Sequence, residues 1–185
     1  IGDLGSGFWL GHHAAIAVCS ELDGRGPVTA LTPAILGSLD IAFTLDVAFD
    51  GRPTPLRHFI DAVYAMRPIE LAKFAPQVIA NHEDPIAAAL LAQSEAFLLA
   101  DFRKIFDPEV RGPVVLGGSV AAHLKGLPAE IARVLEAAGH EADIRLAGDG
   151  AIGAAVLALR HEGIVVDEAM LQRITVSMAA RAAKT

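Results

Sequence analysis

The sequence predicts a helix-rich α/β fold with a small parallel sheet, and three observations carry that prediction. Hydrophobic residues make up 53% of a 185-residue chain, which is enough to build a real core in a unit of single-domain size. A capping residue followed by proline recurs at Thr32-Pro33, Thr54-Pro55 and Asp84-Pro85, and proline's missing N–H costs nothing at the first helical position. Only two stretches read as strands, "GPVVLGG" at Gly112–Gly118 and "ADIRLAG" at Ala142–Gly148, each bounded by glycine and each running into a helical pattern. Two strand-helix units joined by a helix imply a small parallel sheet with flanking helices.

Taken in order, the chain opens with the glycine-rich acidic loop "IGDLGSG" and runs straight into an apolar helical pattern. Ser6 is placed to cap that helix. Cys19 falls within it, in "AAIAVCSEL", and reads as a buried, inert thiol. "DGRG" at Asp23–Gly26 and "DGRP" at Asp50–Pro53 read as surface turns. Asp84-Pro85 begins the longest helix, expected from Pro85 to Phe106 with Leu90, Leu91, Phe97, Leu98 and Ile105 on its apolar side. It should stop before Asp107-Pro108, because the residue preceding a proline leaves the helical region. A further helix is expected from Pro128 to Ala138, closed by Gly139. The helix in "GAIGAAVLAL" is apolar all round, which predicts burial, and Asp167 should cap a final helix through Arg181.

Charge and composition exclude several functions. A net charge of -7, with no basic run, argues against a nucleic-acid phosphate track. The single cysteine cannot form an internal disulfide, so a reduced, cytoplasmic setting is expected. No targeting segment opens the chain, and Gly, Pro or charge cuts the apolar stretches short of the ~20 residues a membrane span requires. Neither membrane nor nucleic acid is an expected partner. His82-Glu83, His140-Glu141 and His161-Glu162 lack the second histidine, one helical turn on, that a zinc helix needs. His12 and His13 face different sides of their helix. No metal-ligating set emerges.

Three places could carry chemistry. Gly117-Gly118-Ser119 ends a strand and is expected to open a helix at about Val120, where free N–H groups and absent side chains would admit a nucleotide. The segment is neither a Walker A loop nor a dinucleotide fingerprint, and a tight strand-to-helix turn explains it as well. Gly150, Gly153, Ala154 and Ala155 form a helix start with almost no bulk, which suits close packing by another backbone or lobe ahead of direct ligand contact. In the opening loop, Asp3 offers a carboxylate to sugar hydroxyls and Phe8 and Trp9 offer aromatic surface. Alternatively Asp3 and Ser6 are caps, and the two aromatics belong to the core.

In order, these pieces resemble the N-acetylglucosamine kinase and BadF/BcrA-type ATPase family, within the actin-like, hexokinase-like superfamily. "GDLGSGFWLG" is similar to that family's G-D-E-G-S-G-Y-W-I-G segment. "VYAMRPIELAKFAPQVI", "DPIAAALLAQSEAFLLADFRKI", "VVLGGSVA" and "GAIGAAVLA" follow in family order, so the likeness runs from Ile1 to about Glu162. The family's glutamate after the aspartate is Leu4 here.

The resemblance implies the C-terminal lobe of an RNase H-like (actin-like ATPase) fold across residues 1–185. The N-terminal lobe, with its first phosphate loop and general-base aspartate, would lie outside this chain, leaving no catalytic residue within it. It further implies ATP-dependent, Mg²⁺-assisted phosphorylation of N-acetylglucosamine or a related hexosamine. Asp3 and Ser6 would lie on the sugar side, and Gly117, Gly118, Ser119 and Gly153 around the nucleotide. Bare apolar faces would then be covered by the N-terminal lobe or by a second copy. Two alternatives are a non-catalytic sugar- or nucleotide-binding regulator, for which Leu4 speaks, and an activator ATPase. One cysteine is too few for the latter's intersubunit iron-sulfur cluster.

Overall fold

The computed structural model describes residues 3–47 and 51–182. Asp50, which the sequence placed in a turn, lies outside them. The chain divides into two units. The first comprises the residues up to Gly112 together with Ser119–Asp143, and the second Pro113–Gly118 with the residues from Ile144 onward.

The first unit is built round helix α1 (Gly7–Leu22), which buries Trp9, Leu10, Ala14, Ala15, Val18 and Leu22. Against it lie α2 (Leu31–Ser38), α3 (Thr54–Tyr64), α4 (Ala75–Ala80), α5 (Pro85–Ile105) and a 3₁₀ segment, Pro68–Phe74. Phe59 and Phe74, both fully buried with ring centroids 6.2 Å apart, fill the space between α3 and the 3₁₀ segment. That segment comes so close to α1 that a Cβ at Gly11 would sit 1.8 Å from the Leu71 carbonyl oxygen. Only glycine permits this crossing. α6 (Leu127–Ala137) adds the stripe Leu127, Ile131 and Leu135, one residue per turn of a single face.

A polar junction ties three helix ends together. Asp84 caps α5 by accepting from the Ile86 and Ala87 N–H groups at 3.0 and 3.1 Å, and also accepts from the Thr29 hydroxyl at 2.8 Å and the Ala30 N–H at 2.9 Å. Glu21, near the end of α1, accepts from the Thr29 N–H and the Thr32 hydroxyl. Here the expected Thr32 cap is corrected: α2 begins at Leu31, whose N–H donates to the Thr29 hydroxyl oxygen at 3.2 Å. Thr32 is drawn into the first turn because its hydroxyl is committed to Glu21.

α5 also departs from expectation. Its wholly buried residues are Ala87 and Ser94, whereas Leu90, Leu91, Phe97 and Leu98 are half-buried and Ile105 is 79% exposed. Close packing selects the small residues at the contact and leaves the larger ones at its margins. α5 is also 21 residues long and apolar enough to cross a membrane by length and composition, which corrects the expectation that every apolar stretch falls short.

In the second unit, β1 (Val114–Leu116) and β2 (Ile144–Leu146) pair in parallel, with Leu116 opposite Leu146. The expected strand-to-helix step after β1 is corrected: only a three-residue 3₁₀ turn, Ala121–His123, intervenes before α6. α7 (Gly150–His161) buries none of its residues, contrary to the expectation from its apolarity, and Leu157 is 67% exposed. α8 (Glu168–Ala182) starts where Asp167 accepts from the Met170 N–H at 2.8 Å.

Candidate functional site

The opening loop is a folded turn held from both sides. The Ser6 N–H donates to the Asp3 carbonyl at 3.0 Å, and the Ser6 hydroxyl oxygen accepts from the Trp9 N–H at 3.2 Å, capping α1. Gly5 is buried at φ +74°. Its carbonyl accepts a 2.7 Å hydrogen bond from the Ser94 hydroxyl, and a Cβ there would lie 3.0 Å from the Ser94 carbonyl oxygen. Trp9 is buried, edge-on to Phe97 at 5.4 Å and close to the His13 ring at 4.1 Å.

This geometry separates the two readings of the loop. Ser6 caps the helix and Trp9 belongs to the core. Phe8 is half-exposed beside His12, with ring centroids 5.9 Å apart. The Asp3 carboxylate, by contrast, is exposed and makes no hydrogen bond or ion pair with any described residue. A hydrogen-bonded loop thus presents an anionic acceptor with no partner among the described residues, the kind of group that binds adjacent hydroxyls through charge-assisted hydrogen bonds.

The expected nucleotide residues are distributed differently. Gly117 and Gly118 leave the C-terminal end of β1, and a Cβ at Gly117 would meet the Ala147 side chain at 3.6 Å. Gly118 takes φ +105°, which side chains other than glycine's rarely adopt. Gly148, Asp149 and Gly150 leave the same end of the neighbouring strand, and Asp149 caps α7 by accepting from the Ala151 N–H at 2.8 Å. Parallel sheets bind ligands at this carboxyl end of their strands. Gly153 is exposed on α7, and among the described residues no atom lies within 4 Å of a built Cβ. Ser119 belongs to the first unit, and its carbonyl accepts from His123 Nδ1 at 2.6 Å.

Two clefts lie elsewhere in the first unit. One, of about 710 Å³, runs between α1 and α3 over Ile16, Leu56, Phe59 and Ile60, with Cys19, Asp23 and Arg25 at its edge. Burial, then the neighbouring Asp23 charge, pushes the Cys19 thiol up against the opposing pull of Arg25. The thiol is half-buried rather than sealed in the core. The other, of about 550 Å³, brings His82, Glu95, His123 and Lys125 round an apolar floor of α4 and α5. None of the residues expected from sequence lines either cleft. "DGRG" signalled only a turn, and nothing in its spacing pointed to α3. Among the described residues, no group of three or more His, Cys, Asp or Glu side chains could hold a metal ion.

This helix-rich α/β chain with its small parallel sheet is similar to a solved kinase structure. That structure, from Chromobacterium violaceum, is of a protein assigned as an N-acetylglucosamine kinase, an assignment that is itself provisional. The two superpose with a TM-score of 0.53 at 30% identity over 68% of this chain. This chain spans only 39% of that protein's length. No protein-family profile matches the sequence, and no curated protein sequence does either.

Proposed function

We propose that this chain forms the sugar- and nucleotide-binding part of an ATP-dependent amino-sugar kinase that phosphorylates N-acetylglucosamine or a related hexosamine. The observation that carries this reading is the 30% identity to a chain assigned that activity. The loop geometry supports it: the Asp3 carboxylate is exposed and has no partner among the described residues, while the Gly5 carbonyl behind it is held by Ser94. On this reading Asp3 accepts from sugar hydroxyls, and Ser6 sets the loop by capping α1. Gly117, Gly118 and Ser119 border the adenine or ribose, and Gly153 lies near the nucleotide. Mg²⁺ enters on the phosphates of ATP, where it offsets their charge. The general base, a carboxylate on the acceptor hydroxyl, lies outside this chain.

Leu4 favours a second reading. It is 55% exposed at the position where the resembled family carries glutamate, and an apolar side chain beside the sugar suits a binding protein without turnover. One experiment separates the two: the full-length protein is incubated with N-acetylglucosamine and Mg-ATP. Sugar phosphate and ADP formed in equal amounts support the kinase. Calorimetric binding of the sugar without turnover selects the regulator, and neither binding nor turnover rejects both.

A further inference from the structure

We propose that Ser94 is a positioning residue for the sugar-binding loop, acting on Asp3 through the Gly5 carbonyl. The proposal rests on the sugar-binding reading of that loop. A serine inside a helix ordinarily bonds the preceding turn of its own helix or faces water. Ser94 does neither. It is fully buried, and its hydroxyl donates at 2.7 Å to a carbonyl 89 residues away in sequence.

Three features make this contact a latch rather than incidental packing. Among the described residues, Ser94 is the side chain outside the loop that hydrogen-bonds it, since the remaining bonds of residues 3–6 stay within the loop or run to α1. Gly5 stands at φ +74° and is packed so close that a Cβ would meet both the carbonyl and hydroxyl oxygens of Ser94, at 3.0 and 3.2 Å. The adjoining Glu95 carboxylate accepts from the Gly126 N–H at 2.9 Å, which ties α5 to the start of α6. Fixing the Gly5 peptide plane fixes the direction in which the chain leaves it, and Asp3 is only two residues away.

Ser94→Ala removes the donor and little volume. In the full-length protein the Kd for N-acetylglucosamine should rise roughly tenfold, as expected when a buried carbonyl loses its partner, while the Kd for ADP stays unchanged. Hydrogen exchange at the Ser6 amide should accelerate, because that amide closes the turn the latch supports. Ser94→Cys, nearly isosteric and a weaker donor, should fall between wild type and alanine.

A double-mutant cycle supplies the readout that a merely structural residue would not move. In an Asp3→Ala background, Ser94→Ala should add little further loss of sugar affinity, since the carboxylate it positions is gone. Additive losses, equal weakening of ADP and sugar, or an unaltered Ser6 amide would each overturn the proposal. If Asp3→Ala itself leaves sugar affinity intact, the sugar reading fails and takes the latch with it. If Asp3→Ala weakens sugar binding and Ser94→Ala does not, the latch alone fails.

Discussion

α1 and α7 open in the same way and end in opposite environments. Each follows a glycine-bearing loop, each is capped by an acceptor side chain, Ser6 or Asp149, and each is rich in glycine, alanine and aliphatic residues. Yet α1 is surrounded by four helices and a 3₁₀ segment and buries seven residues, whereas α7 buries none. Their glycines differ accordingly. A Cβ at Gly11 would collide with the Leu71 backbone, and one at Gly153 would meet none of the described residues. The lesson is that glycine in an apolar helix marks two different things, a backbone contact already made or a surface left clear. Local sequence does not distinguish them, because the neighbour that decides lies some sixty residues away in one case and is absent from the described residues in the other.

Substitution at these glycines separates the two roles, and the largest effect is expected at Gly11. Gly11→Ala forces α1 away from the Pro68–Phe74 segment and should destabilise the chain by about 3 kcal/mol or more, the upper end for overpacking. Chemical denaturation followed by circular dichroism measures it. A loss under 1 kcal/mol would mean that the two segments separate easily.

Next in size is the acid response of the junction that anchors α1, α2 and α5. Burial works against ionisation of Asp84, but the hydrogen bonds from the Ala30 and Ala87 N–H groups, the Thr29 hydroxyl and the Ile86 N–H outweigh it and hold the carboxyl below its ordinary range. A group whose pKa is depressed on folding contributes stability above its unfolded value, and that stability is lost as pH falls through the folded one. Stability should therefore drop below about pH 4. Asp84→Asn should blunt the drop and cost about 1 kcal/mol at neutral pH, as one charge-assisted cap is weakened. Denaturation midpoints at neutral pH and at about pH 3 for both proteins test this, and identical acid losses would place the sensitivity elsewhere.

Gly153→Ala should have the smallest effect and the opposite sign. Alanine in an exposed helix is favoured over glycine by about 0.5–1 kcal/mol, so thermal melts should shift upward by a few degrees at most. If instead the variant binds ADP more weakly at unchanged stability, the clear surface of α7 is there to admit the nucleotide.

Short-range features were legible in the sequence. Ser6, Asp84 and Asp167 cap helices as expected, because the competition between a side-chain acceptor and the chain's own carbonyls is settled within four residues; Thr54 does not, since α3 already includes it and Pro53 stands at the cap with no side-chain hydrogen bond. The two strands were also readable from their glycine bounds, and their parallel pairing from the helical pattern that separates them. What failed was set by distant partners. Thr32 lost its role as a cap to Glu21, and the packed face of α5 went to Ala87 and Ser94 rather than to its leucines. The helix expected at Val120 became a 3₁₀ turn. For the site, Asp3 and Ser6 were visible as loop residues, and the local cap of Ser6 on Trp9 was legible, but the Ser94 hydroxyl that holds the intervening Gly5 carbonyl had no sequence signal, because it comes from 89 residues away. The cleft edged by Cys19, Asp23 and Arg25 had no sequence signal, since α3 completes it from thirty or more residues away.

Whether the loop before α1 presents Asp3 to a sugar is decided by steady-state kinetics of Asp3→Ala in the full-length protein. The loss of one charged acceptor should lower kcat/KM for N-acetylglucosamine by about 10- to 150-fold, corresponding to roughly 1.5–3 kcal/mol. Tm and the KM for ATP should remain as in the wild type, because the carboxylate makes no bond within the described chain. Unchanged kinetics in a folded variant would show that Asp3 does not hold the sugar.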